Sequence, residues 1–200
     1  MFDNFLLPTL VVFCYSIVQS LFGVGLLVFG TPTLLLLGYS FHHTLSLLLP
    51  CSLTISILQL VPNWNELGNF KREFSIITLP PMILTLGTVL LVDVQLGIHI
   101  LVGSMLILSA ATRISPNFAH RFKVLLEKNG RAYLLILGLV HGASNMGGAL
   151  ITIYAASLFR TKVLIRANIG FAYSVLAAIQ ILVLLLLGYF SYSLLTLALI

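Results

Sequence analysis

From Phe5 to Gly38 the chain carries no charged side chain, and from Ala132 to Phe159 it again carries none. One helix needs only about 20 apolar residues to cross a hydrocarbon core of about 30 Å, so each run is longer than a single crossing uses. Both runs are also interrupted. The first holds Phe22-Gly23-Val24-Gly25 and then Gly30-Thr31-Pro32; the second holds His141-Gly142-Ala143-Ser144-Asn145-Met146-Gly147-Gly148. Glycine weakens a helix, and backbone groups freed at membrane depth need partners within the protein. The pattern predicts that each run forms two shorter helices meeting at a break inside the membrane.

Four other apolar runs have ordinary spanning length: Thr44 to Val61, Phe74 to Val92, Leu96 to Thr112 and Val163 to Leu187. Over the 200 residues, 60% are hydrophobic and 8% charged, against about 25% charged in a soluble domain. This excludes a soluble globule, a disordered tail and a nucleic-acid-binding module, and predicts an all-α polytopic integral membrane protein. Cys14 and Cys51 lie inside apolar runs with no metal-ligand spacing. The first residues lack a basic segment and a small-residue cleavage site, so the N-terminus is expected to stay in the mature protein.

The ten Lys and Arg residues, against five Asp and Glu, give a net charge of +5 and fall in three clusters. Counting each interrupted run as a hairpin places all three on one side, which the positive-inside rule makes cytoplasmic, with the N-terminus outside. The hairpin count also gives an odd number of segments before the second hairpin, which then enters from the opposite face. That is an inverted repeat. Sliding the chain on itself by 122 residues lays Val18 on Val140, Gln19 on His141, Gly23 on Asn145, Gly25 on Gly147 and Ser52 on Ser174.

The expected organisation is a first membrane repeat over 1–112 (hairpin 5–38, helices 44–61, 74–92 and 96–112), a cytoplasmic linker over 113–131, and a second repeat over 132–200. The second repeat holds a hairpin 132–159, a helix 163–187 and a partial helix 194–200. Counterparts of the last two helices of the first repeat fall at and past Ile200, so the second repeat reads as truncated. The linker mixes Phe118, Phe122, Val124, Leu125 and Leu126 with its charges and fits either an interfacial helix on anionic lipid or a solvated connection.

A broken helix offers unpaired N–H groups and about half a positive charge at the start of its second part, which is an anion-binding arrangement. Such interruptions in corresponding places of two halves point to a transporter's midplane site. The candidate substrate-binding residues are Gln19, Gly23, Gly25, Thr31, His141, Ser144, Asn145, Gly147 and Gly148. Neither break contains a carboxylate, which disfavours a cation. The competing reading of the glycines is close helix packing. Arg166 reads as a residue of the membrane interface, His42 and His43 as an exposed turn, and Asp93 as a helix cap.

His141 and Asn145 form an H-x-x-x-N spacing also found in rhomboid intramembrane proteases. Gly38-Tyr39-Ser40-Phe41 and Gly142-Ala143-Ser144-Asn145 both lack the closing glycine of a G-x-S-G nucleophile setting. No HExxH motif or phosphate-binding loop occurs in the sequence. The expectation is a protein that is not an enzyme, with no catalytic residues, metal or cofactor.

With its breaks placed, the sequence resembles the TauE/SafE family of sulfite-exporter-like permeases. The resemblance rests on Gln19 to Gly38, with its Phe22-Gly23-Val24-Gly25 and Gly30-Thr31-Pro32 elements, and on the echo from His141 to Ile151. Family members typically carry a G-x-x-G-x-G-G-like break, an apolar stretch and P-x-L in each half. Here Asn145 replaces one glycine and the echo lacks the proline, while Ser20 and Leu26 stand where glycines are common. The resemblance implies export of a small anion, sulfite, a sulfonate or a related organosulfur oxyanion, across a bacterial cytoplasmic membrane by alternating access. The implied partners are the anion, the lipid bilayer and a second copy covering the incomplete half. The alternative is a non-transporting membrane scaffold or assembly subunit, or an inactive fragment of such a transporter.

Overall fold

Where water is scarce, a backbone satisfies its own N–H and C=O groups most economically as a helix, and the described apolar runs do so. In the computed structural model, residues 3–67, 70–92 and 128–190 are described, with isolated positions between 103 and 124. The described residues form seven α-helices and no strand. They are α1 (Asp3–Phe22), α2 (Leu26–Leu36), α3 (Phe41–Leu60), α4 (Phe70–Val92), α5 (Gly130–Ser144), α6 (Gly148–Leu158) and α7 (Lys162–Leu186). A 3-10 turn over Val61–Glu66 follows α3. The expected spans 96–112 and 194–200, the Asp93 cap and most of the 113–131 linker lie outside the described residues.

Among the described residues, three helical stretches are long and apolar enough to cross a membrane: Phe41–Asn65, Phe70–Val92 and Lys162–Leu186. The two interrupted runs are helical pairs, as their glycines predict. The pairs are unequal, with α1 at 20 residues and α5 at 15, while α2 and α6 have 11 each. In the first run the break falls at Phe22 to Gly25, and Gly30-Thr31-Pro32 lies within α2. Gly30 serves packing there: a Cβ on it would stand 3.1 and 3.2 Å from the two terminal methyl carbons of Leu48.

Two helix pairs dominate the packing, α3 along α7 and α4 along α5. The second depends on Gly138 and Gly142, four residues apart on one face of α5. A Cβ on Gly138 would collide with the Thr78 carbonyl oxygen and stand 2.8 Å from Pro81 Cγ; one on Gly142 would collide with the Met82 carbonyl and the Thr85 hydroxyl. Small residues at this spacing let helix backbones approach. Pro80 and Pro81 in α4 lack N–H groups, which frees carbonyls one turn earlier, and Thr85 returns a hydrogen bond to the Pro81 carbonyl at 2.9 Å. An exposed ion pair, Arg131 to Glu73 at 3.6 Å, joins the same two helices at their charged ends.

An aromatic cluster closes one end of the α3–α7 layer. Phe70 stacks on Phe74 with centroids 5.3 Å apart, both meet Phe171 edge-on, and Trp64 meets Phe171 at 6.3 Å. The Lys71 ammonium lies 4.7 Å from the Trp64 ring centroid, an attractive cation–π contact. Outward faces remain apolar: Leu6, Phe13 and Leu21 on α1 and Leu84 and Leu91 on α4 are exposed.

Gly138→Ala separates packing from propensity. In a free helix the change stabilises by about 1 kcal/mol; here the new methyl meets backbone, and the expected outcome is destabilisation of about 1–3 kcal/mol, measured as thermal unfolding of the purified protein in detergent micelles.

Candidate functional site

The two breaks share a left-handed helix end and two hydrogen bonds at positions 122 residues apart, and differ at the N-cap, where Gly25 has φ 158° and Gly147 φ -60°. Gly23 (φ 81°) and Asn145 (φ 60°) each end the preceding helix in the left-handed region, where glycine and asparagine are the residues at least cost. The Gly23 N–H donates to the Gln19 carbonyl at 2.8 Å and the Asn145 N–H to the His141 carbonyl at 2.7 Å. The second helix then opens with Phe29 N–H to the Gly25 carbonyl in one case and Ile151 N–H to the Gly147 carbonyl in the other, both at 2.9 Å. Each pair of positions differs by the offset that aligned the sequence.

The side chains above the breaks hold them in shape. Gln19 is fully buried and its Nε2 donates to Ser52 Oγ and Ser56 Oγ, each at 3.1 Å. The carbonyl end of α1 is covered by Gln59, whose Nε2 donates to the Gln19 carbonyl at 2.8 Å, and by Arg166, which donates to the Ser20 carbonyl. A cation there complements the negative end of the helix dipole, so Arg166 caps α1 in addition to marking the charged edge. Gly25 accommodates the returning chain, since a Cβ on it would stand 2.7 Å from Val18 Cγ1.

In the second break, His141 uses both ring nitrogens. Nδ1 accepts from the Gly147 N–H at 3.1 Å, and Nε2 lies 3.2 Å from Gln180 Oε1. Accepting at Nδ1 requires a lone pair there, which puts the proton on Nε2, donating to Gln180, in a neutral imidazole. Gly147 has no side chain because the imidazole occupies the space: a Cβ would stand 2.6 Å from His141 Cβ. Ser144 donates to the Val140 carbonyl at 2.7 Å and accepts the Met146 N–H at 3.2 Å.

The tip of the second hairpin meets the first two turns of α2. Asn145 Nδ2 donates to Thr31 Oγ1 at 3.0 Å across a sequence separation of 114, with both residues fully buried. Next to this bridge, Gly148 leaves room for the Tyr173 hydroxyl of α7; a Cβ there would collide with that oxygen and stand 2.7 Å from Val28 Cγ2 of α2. Tyr173 is fully buried. Its hydroxyl, Asn145 Oδ1 and Gln180 Nε2 have no hydrogen-bond partner, and an unmade buried hydrogen bond costs about 1–3 kcal/mol.

The N-caps of α2 and α6, Gly25 and Gly147, supply no side-chain cap, so the first-turn amides of Leu26 to Val28 and of Gly148 to Leu150 lack intrahelical acceptors. These are the open donors of the site. The amides of Gly23, Met146 and Gly147 are already bonded within the breaks.

Of the residues singled out from sequence, Thr31, Asn145 and Gly148 come together at the tips. Gln19, Gly23, Gly25, His141, Ser144 and Gly147 shape the two breaks. Sequence reasoning missed Tyr173 and Gln180. Their signal was available: Asn168, Tyr173 and Gln180 are polar residues of an apolar helix, and the last two lie seven apart, on one face. Scans against protein-family models and searches of curated proteins and solved structures found no match for the chain.

Replacing His141 by Ala orphans the Gly147 amide and the Gln180 carbonyl oxygen together. The expected loss is about 1–3 kcal/mol for each orphaned group, read as a lowered unfolding midpoint in micelles; an unchanged midpoint removes His141 from the framework of the break.

Proposed function

We propose that this chain is a secondary transporter that exports a small anion across a bacterial cytoplasmic membrane by alternating access, with the anion held between the two hairpin tips. The substrate class is a sulfur oxyanion such as sulfite or an organosulfur relative, in line with the TauE/SafE resemblance of its breaks. On this reading the hairpins belong to two inverted repeats, the basic clusters face the cytoplasm, and rocking of one repeat against the other exposes the tips to each side in turn.

The observation that carries the reading is the meeting of two uncapped, buried helix N-termini beside an unpartnered tyrosine hydroxyl. Each helix start contributes about half a positive charge and several free N–H groups. Buried donors left open in this way are costly in an apolar surround and are matched by an anion. Glycines at 147 and 148 admit His141 and Tyr173 to the break, a role distinct from the interhelical packing of Gly138 and Gly142. That packing is the observation favouring the second reading, a membrane scaffold whose glycines serve helix association alone.

The purified 200-residue chain reconstituted in liposomes separates the two. The transporter reading expects selective efflux of sulfite over chloride, and expects Gly148→Ala, which displaces the Tyr173 hydroxyl, to abolish efflux while expression and folding persist. A folded wild type that moves no anion, with variants that fail only in assembly, would make the scaffold the correct reading.

A further inference from the structure

Resting on the assignment of the hairpin tips as an anion site, we infer that the ligand is a singly charged oxyanion bearing at least one O–H of its own, the form of hydrogensulfite, hydrogencarbonate or dihydrogenphosphate. Two independent features of the tips require it, one of charge and one of hydrogen bonding.

The charge available is about one unit. No Lys, Arg, Asp or Glu is among the buried described residues, and His141 is neutral because its Nδ1 accepts the Gly147 amide. Positive character comes from the starts of α2 and α6, each worth about half a charge. Together they balance a monoanion. A dianion would leave a full negative charge uncompensated in a dry site, which is costly.

The hydrogen-bonding inventory is mixed. The first-turn amides and the Tyr173 hydroxyl are donors that suit anionic oxygens. Asn145 Oδ1 is an acceptor, in a fully buried side chain, with no donor facing it. Its carboxamide is held by the Nδ2 bond to Thr31 at 3.0 Å, and its backbone by the bond to the His141 carbonyl at 2.7 Å. An unprotonated oxyanion has nothing to offer this oxygen, whereas an O–H does. Tyr173 donates from the opposite helix to an anionic oxygen of the same ligand. A sulfonate has the right charge and lacks the O–H, so it is discriminated against alongside sulfate.

Among the described residues, the chain's own titratable groups on the helices that form the tips and pack on them are few. They are His141 on α5, Tyr173 on α7, the stacked Tyr133 and Tyr154 of α5 and α6, Tyr15 on α1, bonded to Thr33 of α2, and Cys51 on α3. Arg166 is exposed on the Ser20 carbonyl at the end of α1. An aprotic anion of fixed charge reports any titration of these groups, leaving the protonation of the ligand as the variable.

The test is initial-rate flux of sulfite, bicarbonate, phosphate, methanesulfonate and sulfate into phosphatidylethanolamine–phosphatidylglycerol vesicles containing the full chain, scanned over pH. The expected result is sulfite flux proportional to its monoprotonated fraction, falling about tenfold per pH unit above the second ionisation, while methanesulfonate flux stays low and flat. Comparison at matched monoanion concentration then shows which protonated oxyanion is preferred. Asn145→Gly, which keeps the left-handed cap, is expected to lower the hydrogensulfite-to-methanesulfonate ratio about tenfold or more, and Tyr173→Phe to lower both fluxes about 10- to 100-fold. Equal flux of methanesulfonate and sulfite in the wild type, sulfite flux that ignores its protonation, or sulfate moving as fast as sulfite overturns the inference and leaves the transporter standing. Absence of flux and of calorimetric binding for every anion overturns both.

Discussion

A polar group shut away from water must find its partner inside the protein, and the two broken helices turn that requirement into architecture. Each break creates a carbonyl end and an amide end in an apolar surround. The carbonyl ends are answered: Gln59 and Arg166 cover that of α1, and the Asn145 amide closes the last turn of α5. The amide ends of α2 and α6 are not answered by any cap. The asymmetry leaves hydrogen-bonding capacity unspent at the starts of α2 and α6.

The two breaks solve the same geometric problem with different chemistry. In the first, a glycine takes the left-handed position and Gln19 reaches two serines on the following long helix, α3. In the second, Asn145 takes that position and His141 reaches Gln180 on the following long helix, α7. Replacing glycine by asparagine costs little at a positive φ and adds a carboxamide to the tip. One half of the pair therefore supplies mainly backbone at its break, while the other also brings the Asn145 carboxamide, whose Oδ1 is unpartnered.

Much of this was legible in the chain because it rests on local constraints. Uncharged runs too long for one crossing, broken by Gly23, Gly25, Asn145 and Gly147, announced helical pairs, and the 122-residue offset placed corresponding hydrogen bonds on corresponding residues. The extent of the helices was less legible, since Gly30-Thr31-Pro32 looks like a break and is helical interior, where Gly30 yields to Leu48. Gly142 looked like part of the second break and packs on α4. A glycine reads the same in sequence whether it bends the chain, admits a neighbouring helix or admits a side chain.

By itself, then, the sequence determined that the described chain is helical and apolar and where two of its apolar runs break. Those follow from composition and backbone conformation, which act over a few residues. Only the tertiary structure decided that Asn145 bridges to Thr31, that His141 and Gln19 are consumed in holding their breaks, and that Tyr173 brings a free hydroxyl to Gly148. These depend on which helix faces cross, and among helices that are apolar nearly all round, hydrophobic pattern leaves that choice open; close approach at glycines and the pairing of buried polar groups make it.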